Sequence, residues 1–247
     1  MRINYLVNYS PMPRNNTSRI ARARPAQAAF VRDAEASRAR ILDAATAEFA
    51  AFGLAGARVD RIADVAGANK RMLYYYFGNK EALFLAVLER TYANIRQAES
   101  ELRLLDLAPD VAIRRLVQFT WDYYVGHPEF ITLLNNENLY RAEHLRRSTR
   151  IRAMNSPLIA TLRTVIRRGT HAGLFHARAD ALELYISIAA LSYFYLSNIA
   201  TLSTVFARNL TTAAARRKRI AHMQDMVMAS LVTAPSPAPA TRARRAA

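Results

Sequence analysis

Along most of this chain apolar residues recur at helical rather than alternating spacing. Ser37 can cap a helix that sets Ile41, Leu42, Ala45, Phe49 and Phe52 on one face and stops at Gly53. A short helix over 60–66 offers Ile62, Ala63 and Val65 for burial, Gly67 turns the chain, and a third helix covers 70–77. Gly78-Asn79 precedes a long helix over 80–105. Pro109 and Asp110 open another, to Val125, and Gly126-His127-Pro128 breaks it. Further helices are expected over 129–143, 157–172, 180–206 and 213–232, the last with Ile220, Met223, Val227 and Leu231 at helical spacing. No stretch alternates long enough for a strand. The pattern predicts an all-α fold of about nine helices, a three-helix head on a larger helical body.

The two ends depart from this pattern. Residues 1–36, rich in Arg and interrupted by Pro11, Pro13 and Pro25, read as a disordered basic arm without the apolar run of a secretory signal. Residues 234–247 read as a disordered Pro/Ala/Arg tail. That leaves 37–79 for the head and 80–233 for the body. Composition adds a partner class: 35 Lys+Arg against 19 Asp+Glu give a net charge of +16, which favours a polyanion. Cysteine is absent, which excludes disulfide scaffolds, thiolate zinc sites and a Cys nucleophile. The stretch from Leu184 to Ala207 carries no charge and is long enough to cross a bilayer. The Ser, Thr and Asn scattered through it favour the buried helix of a bundle, so no membrane partner is expected.

The chemistry is concentrated in Gly53 to Glu81, where two short helices follow a bracing helix in the helix-turn-helix plan. A helix that enters a major groove must keep an apolar back while showing polar and aromatic side chains outward. Leu73 and Phe77 supply the back, and Asn69, Lys70, Arg71, Met72 and Tyr75 are left for the outer face. Asn and Arg can read base edges, while Lys and Tyr suit phosphate oxygens.

These residues resemble the signature of the TetR family of bacterial transcriptional regulators. The resemblance rests on Ile62-Ala63, the turn Gly67, Leu73-Tyr74-Tyr75-Tyr76-Phe77 and Lys80-Glu81, with Gly53 and Val59 also in place, and covers about residues 37–90. Arg58 stands where the family usually has a Ser or Thr cap, and Asn69-Lys70-Arg71-Met72 is bulkier and more basic than the usual entry to the recognition helix. The resemblance implies a cytoplasmic homodimer, most simply a repressor, that binds a pseudo-palindromic double-stranded DNA operator. It further implies dimerisation through the last two helices and a body that holds a small-molecule effector. Arg58, Asn69, Lys70, Arg71, Met72, Tyr75, Tyr76 and Lys80 then become candidate DNA contacts, Tyr76 and Lys80 on phosphate. A weaker likeness of the body, through His127-Pro128-Glu129-Phe130 and Asn135-Asn136-Glu137-Asn138, is to regulators of the pyrimidine- and nicotinate-utilisation branch.

The effector site is less defined by sequence. Trp121, Tyr124, Asn138, Arg163, Tyr193 and Phe194 are its candidates, since aromatics with a few polar groups line small-molecule cavities and Arg can hold a carboxylate. Core packing explains most of the aromatics equally well. His127, His144, His171, His176 and His222 have no spacing suited to a metal, and no nucleophile, base and orienting group stand out, so neither catalysis, metal nor cofactor is expected. Two other classes remain: a sequence-independent basic DNA binder, and a helical enzyme or carrier for an acidic substrate.

Overall fold

The computed structural model describes residues 23–232, and these form ten helices: α1 (Ala23–Gly56), α2 (Val59–Val65), α3 (Lys70–Phe77), α4 (Lys80–Ser100), α5 (Pro109–Gly126), α6 (Pro128–Leu139), α7 (Thr149–His171), α8 (Ala181–Ser197), α9 (Ile199–Val205) and α10 (Ala213–Ala229). Short 3-10 turns lie at Leu104–Asp106 and Leu145–Arg147, and a lone β-bridge joins Phe175 to Val232. The all-α expectation holds. The Pro/Ala/Arg tail and the first part of the basic arm lie outside the described residues.

Several boundaries differ from the sequence reading; the sixth helix ends at Leu139, not 143, as Arg141 and Ala142 take left-handed conformations (φ 54° and 58°). The first helix begins at Ala23, not Ser37, so 23–36 is helical where an irregular arm was expected. That stretch is rich in Ala and Arg, strong helix formers even without an apolar face, and its Pro25 sits in the first turn, where a missing N–H costs little. The fourth helix ends at Ser100, because Arg103 takes a left-handed conformation (φ 50°) before the 3-10 turn. The seventh starts at Thr149, capped by Ser148, which accepts from the Ile151 N–H, and runs through Pro157 instead of starting there. The expected helix over 180–206 is two: α8 and α9 meet at Asn198 and bend by 66°. No single helix among the described residues is long and apolar enough to cross a membrane.

Two cores result. Ile41, Phe49, Ile62, Leu73 and Phe77 of α1–α3 pack with Leu83, Phe84, Val87 and Leu88 of α4, so the first half of α4 belongs to the head although the boundary was expected at residue 80. Leu133 of α6 and Ile151 of α7 join the same core and fasten head to body. The second core gathers Leu116, Trp121, Leu162, Val165, Ile188, Met223 and Val227 from α5, α7, α8 and α10. In it Phe175 folds back onto α7 at Gly169, where a Cβ would stand 2.1 Å from the ring. Two residues expected inside are outside: Phe52 is 54% exposed beneath the Arg61 guanidinium, and Val65 is 76% exposed. Helical spacing gave their side of the helix but not how far the covering partner reaches.

The joint between head and body turns on Gly53. Its φ of 66° kinks α1 at the stop the sequence suggested, yet the helix runs on to Gly56. Asn136 of α6 occupies the space a side chain would fill: a Cβ on Gly53 would lie 2.5 Å from Asn136 Oδ1. At the next residue, the buried Glu137 carboxylate accepts the backbone N–H groups of His144 and Leu145 and pairs with His144 Nδ1 at 2.7 Å, while the His144 ring meets Phe84 edge-on. Helix α6 is thereby bolted to both α1 and α4.

Candidate nucleic-acid interface

The head presents α3 as the sequence implied. Leu73 and Phe77 are buried, whereas Tyr75 is 83% exposed and Arg71 is exposed with no ion pair among the described residues. Met72 and Tyr76 are half-buried. Tyr76 is packed edge-on between Tyr75 (5.3 Å) and Phe77 (6.3 Å), which makes it part of the platform under Tyr75. Arg71 and Tyr75, four residues apart, share one outer face of the helix.

Three of the expected DNA residues already have partners. Asn69 is the N-cap of α3, with its side-chain oxygen accepting from the Met72 N–H at 2.9 Å. That leaves its amide nitrogen, not its oxygen, for a base or phosphate. Lys70 pairs with Asp60 of α2 at 2.8 Å, both groups exposed. The pairing raises the lysine and lowers the carboxyl from their ordinary pKa values. Lys80 donates to the carbonyls of Ala57 at 3.3 Å and Ala55 at 3.5 Å. Those carbonyls close α1, where unpaired C=O groups attract a cation, so Lys80 clasps the start of α4 to the end of α1. Sequence placed it near phosphate but could not show this competing partner.

Arg58 illustrates how the fold replaces a missing cap. Its side chain caps nothing at α2, and the Glu48 carboxylate of α1 accepts the Arg58 N–H at 2.8 Å instead. The same carboxylate takes the Arg61 Nε at 2.8 Å, and this bond to Arg61 holds Glu48 below the usual carboxylate range. The Arg58 side chain stays exposed beside α3. Beyond the head, two arginines of the basic stretch from Arg141 to Arg152 are paired, Arg147 with Glu143 and Arg150 with Glu89. Arg219 in α10 is half-buried over the Tyr195 ring and donates to the Leu191 carbonyl at 2.7 Å.

The effector candidates do not come together. Trp121 and Tyr124 are buried, Trp121 against Tyr195 and Tyr124 stacked on Phe130. Tyr193 is half-buried and donates its hydroxyl to Asn135 of α6. Asn138, Arg163 and Phe194 are exposed, which removes them from any interior site; helical spacing alone shows neither which helix covers each nor how closely. Of the six, Tyr124 lines a cavity, one of about 270 Å³ between α5, α6 and α8.

A different cavity, of about 350 Å³, holds charged groups that sequence reasoning passed over. It lies between the second half of α4, the 3-10 turn at Leu104–Asp106 and α7 near Pro157, and Arg96 and Glu99 are in its wall. Arg168 fixes the turn from below by donating to the carbonyls of Leu105 and Leu107. The signal was present: Arg96 and Glu99 continue the face of α4 that carries Leu88, Tyr92 and Ile95, where charge is out of place.

Known proteins agree with this layout. The family described as bacterial regulatory proteins, tetR family, matches residues 41–87, and tetracyclin repressor-like, C-terminal domain, matches residues 109–227. The HTH-type transcriptional repressor NicS of Pseudomonas putida is 44% identical over 199 residues, covering 80% of this chain and 93% of that protein. The HTH-type transcriptional repressor SCO4008 of Streptomyces coelicolor is 45% identical over 108 residues, 42% of this chain and 50% of that protein. Among solved structures, SCO4942 from Streptomyces coelicolor superposes with a TM-score of 0.59 at 26% identity, over 77% of this chain and 97% of that one.

Proposed function

The chain belongs to the TetR family of bacterial regulatory proteins, and on that premise we propose how this DNA-binding transcriptional repressor divides its labour between an α3 that reads an operator and a body that senses a small molecule. The observation that carries the DNA half is the two-sided α3, apolar inside at Leu73 and Phe77 and open outside at Arg71 and Tyr75. Arg71 reads a base edge, Tyr75 and the Asn69 amide contact the backbone or a base, and Met72 packs in the groove. Lys70, Arg58 and Tyr76 flank it. Lys80 holds the helix at its angle.

Two copies are needed to read a palindrome. The outer face of α8 carries Leu182, Ile186 and Phe194 at exposed positions four and eight residues apart, and Met226 of α10 is exposed as well. An apolar stripe of this kind supports pairing with the same face of a second chain. The two α3 helices must then stand about 34–36 Å apart to meet successive major grooves. An effector that prefers a body with another spacing lowers operator affinity, by no more than its differential affinity for the two states.

The test is a titration of the full chain against DNA flanking its own gene and against scrambled DNA of equal length, at two salt concentrations, with Arg71→Ala/Tyr75→Ala as control. Preference for the native fragment that the double variant loses supports operator reading. Equal affinity for both DNAs, falling steeply with salt, would favour a sequence-independent basic binder.

A further inference from the structure

The Arg96–Glu99 pair is built at a cost that its own contacts do not return. Its side chains are 8% and 3% exposed, one turn apart on α4. Arg96 Nη1 approaches Glu99 Oε2 to 2.9 Å without the alignment of a hydrogen bond. Arg96 Nε and Nη1 and both Glu99 oxygens have no hydrogen-bond partner among the described residues. The Nη2 group alone is satisfied, donating to the Tyr185 hydroxyl of α8 at 2.7 Å. Buried charge with four unpaired polar atoms is strongly unfavourable unless something enters to meet them. Both residues contribute to the wall of the cavity.

We propose that this cavity is the effector site and that it takes a small organic carboxylate, held by the Arg96 guanidinium with its apolar body against Leu104, Met154 and Leu158. The proposal deepens the ligand-responsive reading above and rests on it. The sign of the ligand follows from which member of the pair can give up its charge. A guanidinium stays protonated in any protein environment, whereas a carboxyl can take a proton. The site can therefore pass from neutral to a net positive charge but never to a net negative one, which selects an anion over a cation. Burial already pushes the Glu99 carboxyl up to about 7, against the opposing pull of Arg96. The other groups around it do not supply a competing charge: Tyr123 and Tyr124 of α5 and Tyr185 of α8 are held neutral by burial, and Arg103 at the rim is paired with Asp106 at 2.8 Å. An arriving carboxylate displaces the Glu99 charge from Arg96, and Glu99 takes one proton from solvent. A volume of about 350 Å³ lies at the small end of ligand cavities, so the carboxylate is compact.

Calorimetry on the full chain tests this with benzoate, 4-hydroxybenzoate and hexanoate, each beside its carboxamide, at about pH 6 and about pH 8. At least one acid should bind roughly tenfold or more tightly than its amide, and its affinity should fall about tenfold between the two pH values as Glu99 ionises. Glu99→Gln should keep the preference for acid and lose the pH dependence; Arg96→Met should lose the preference. Acids and amides binding alike, no acid binding, or pH dependence that persists in Glu99→Gln would each overturn the proposal, and the first two need no variant. Operator titration of the same preparations separates the two readings. Preference for native DNA without acid binding sinks the carboxylate site alone, whereas acid binding without DNA preference keeps the site and removes the regulator around it.

Discussion

The body buries a charged pair in a way that the head does not. In the head, cations and carboxylates meet at the surface or at its edge: Lys70 with Asp60, Arg61 with Glu48, Arg90 with Asp43. Each pair ties one helix to its neighbour, and water screens most of what it does. In the body, Arg96 and Glu99 are withdrawn from water and left short of partners. The first arrangement suits a rigid reader whose shape should vary little with conditions. The second stores an imbalance that a ligand or a proton can relieve. Helix α4 belongs to both, with Phe84 and Leu88 in the head core and Arg96 and Glu99 at the cavity, so a shift at one end of its 21 residues is felt at the other.

The largest effect expected from breaking this contrast is on DNA. Arg71→Ala with Tyr75→Ala should cost about 2–4 kcal/mol of operator affinity, on the usual worth of base-edge and stacking contacts, while the melting temperature holds. Comparable loss of folding stability would mean that these side chains support the head and do not read DNA. Next is Glu99→Gln, whose effect should depend on pH. Below about 4.5 the carboxyl is protonated folded or unfolded and costs nothing. Between there and about 7 the unfolded chain releases the proton first, so the folded state loses ground as pH rises, and above 7 the penalty is complete. The variant should therefore gain about 2–3 kcal/mol over the parent at high pH and almost nothing at low pH, by denaturant melts. An equal gain at both would sever the effect from ionisation.

Smaller effects test the joint and the head. Gly53→Ala should destabilise by about 1–3 kcal/mol, because it forces a side chain into a left-handed conformation and against Asn136. Pairing it with Asn136→Ala should recover part of the loss, the part due to collision, and leave the part due to backbone strain. Smallest is Asp60→Asn. Removing an exposed partner should leave the melt unchanged, yet free the Lys70 ammonium for phosphate and tighten DNA binding a few-fold at low salt. A weakened operator complex would instead show that Asp60 positions Lys70 for its contact.

The same contrast governs what could be read from sequence. The head was legible because its constraints are local: a Gly turn, caps, and the Leu73 and Phe77 spacing specify a helix-turn-helix within about thirty residues. Even there, Lys80 and Asn69 were assigned by type, and only tertiary structure revealed the Ala57 carbonyl and the Met72 N–H as partners. In the body, helices were recognisable but their neighbours were not. Asn138, Arg163 and Phe194 have suitable chemistry on outward faces. Arg96 and Glu99 interrupt the apolar face of α4 in sequence, and become a site only through the approach of α7, α8 and the 3-10 turn.

The most direct test of the division between a rigid reader and a sensing body is a footprint of the full chain on the DNA flanking its own gene. Two protected half-sites on one face of the duplex, their centres about 10–10.5 base pairs or a multiple apart, with protection lost in Arg71→Ala/Tyr75→Ala, are the predicted result. Uniform protection that ignores sequence, unchanged by the double variant, would contradict it.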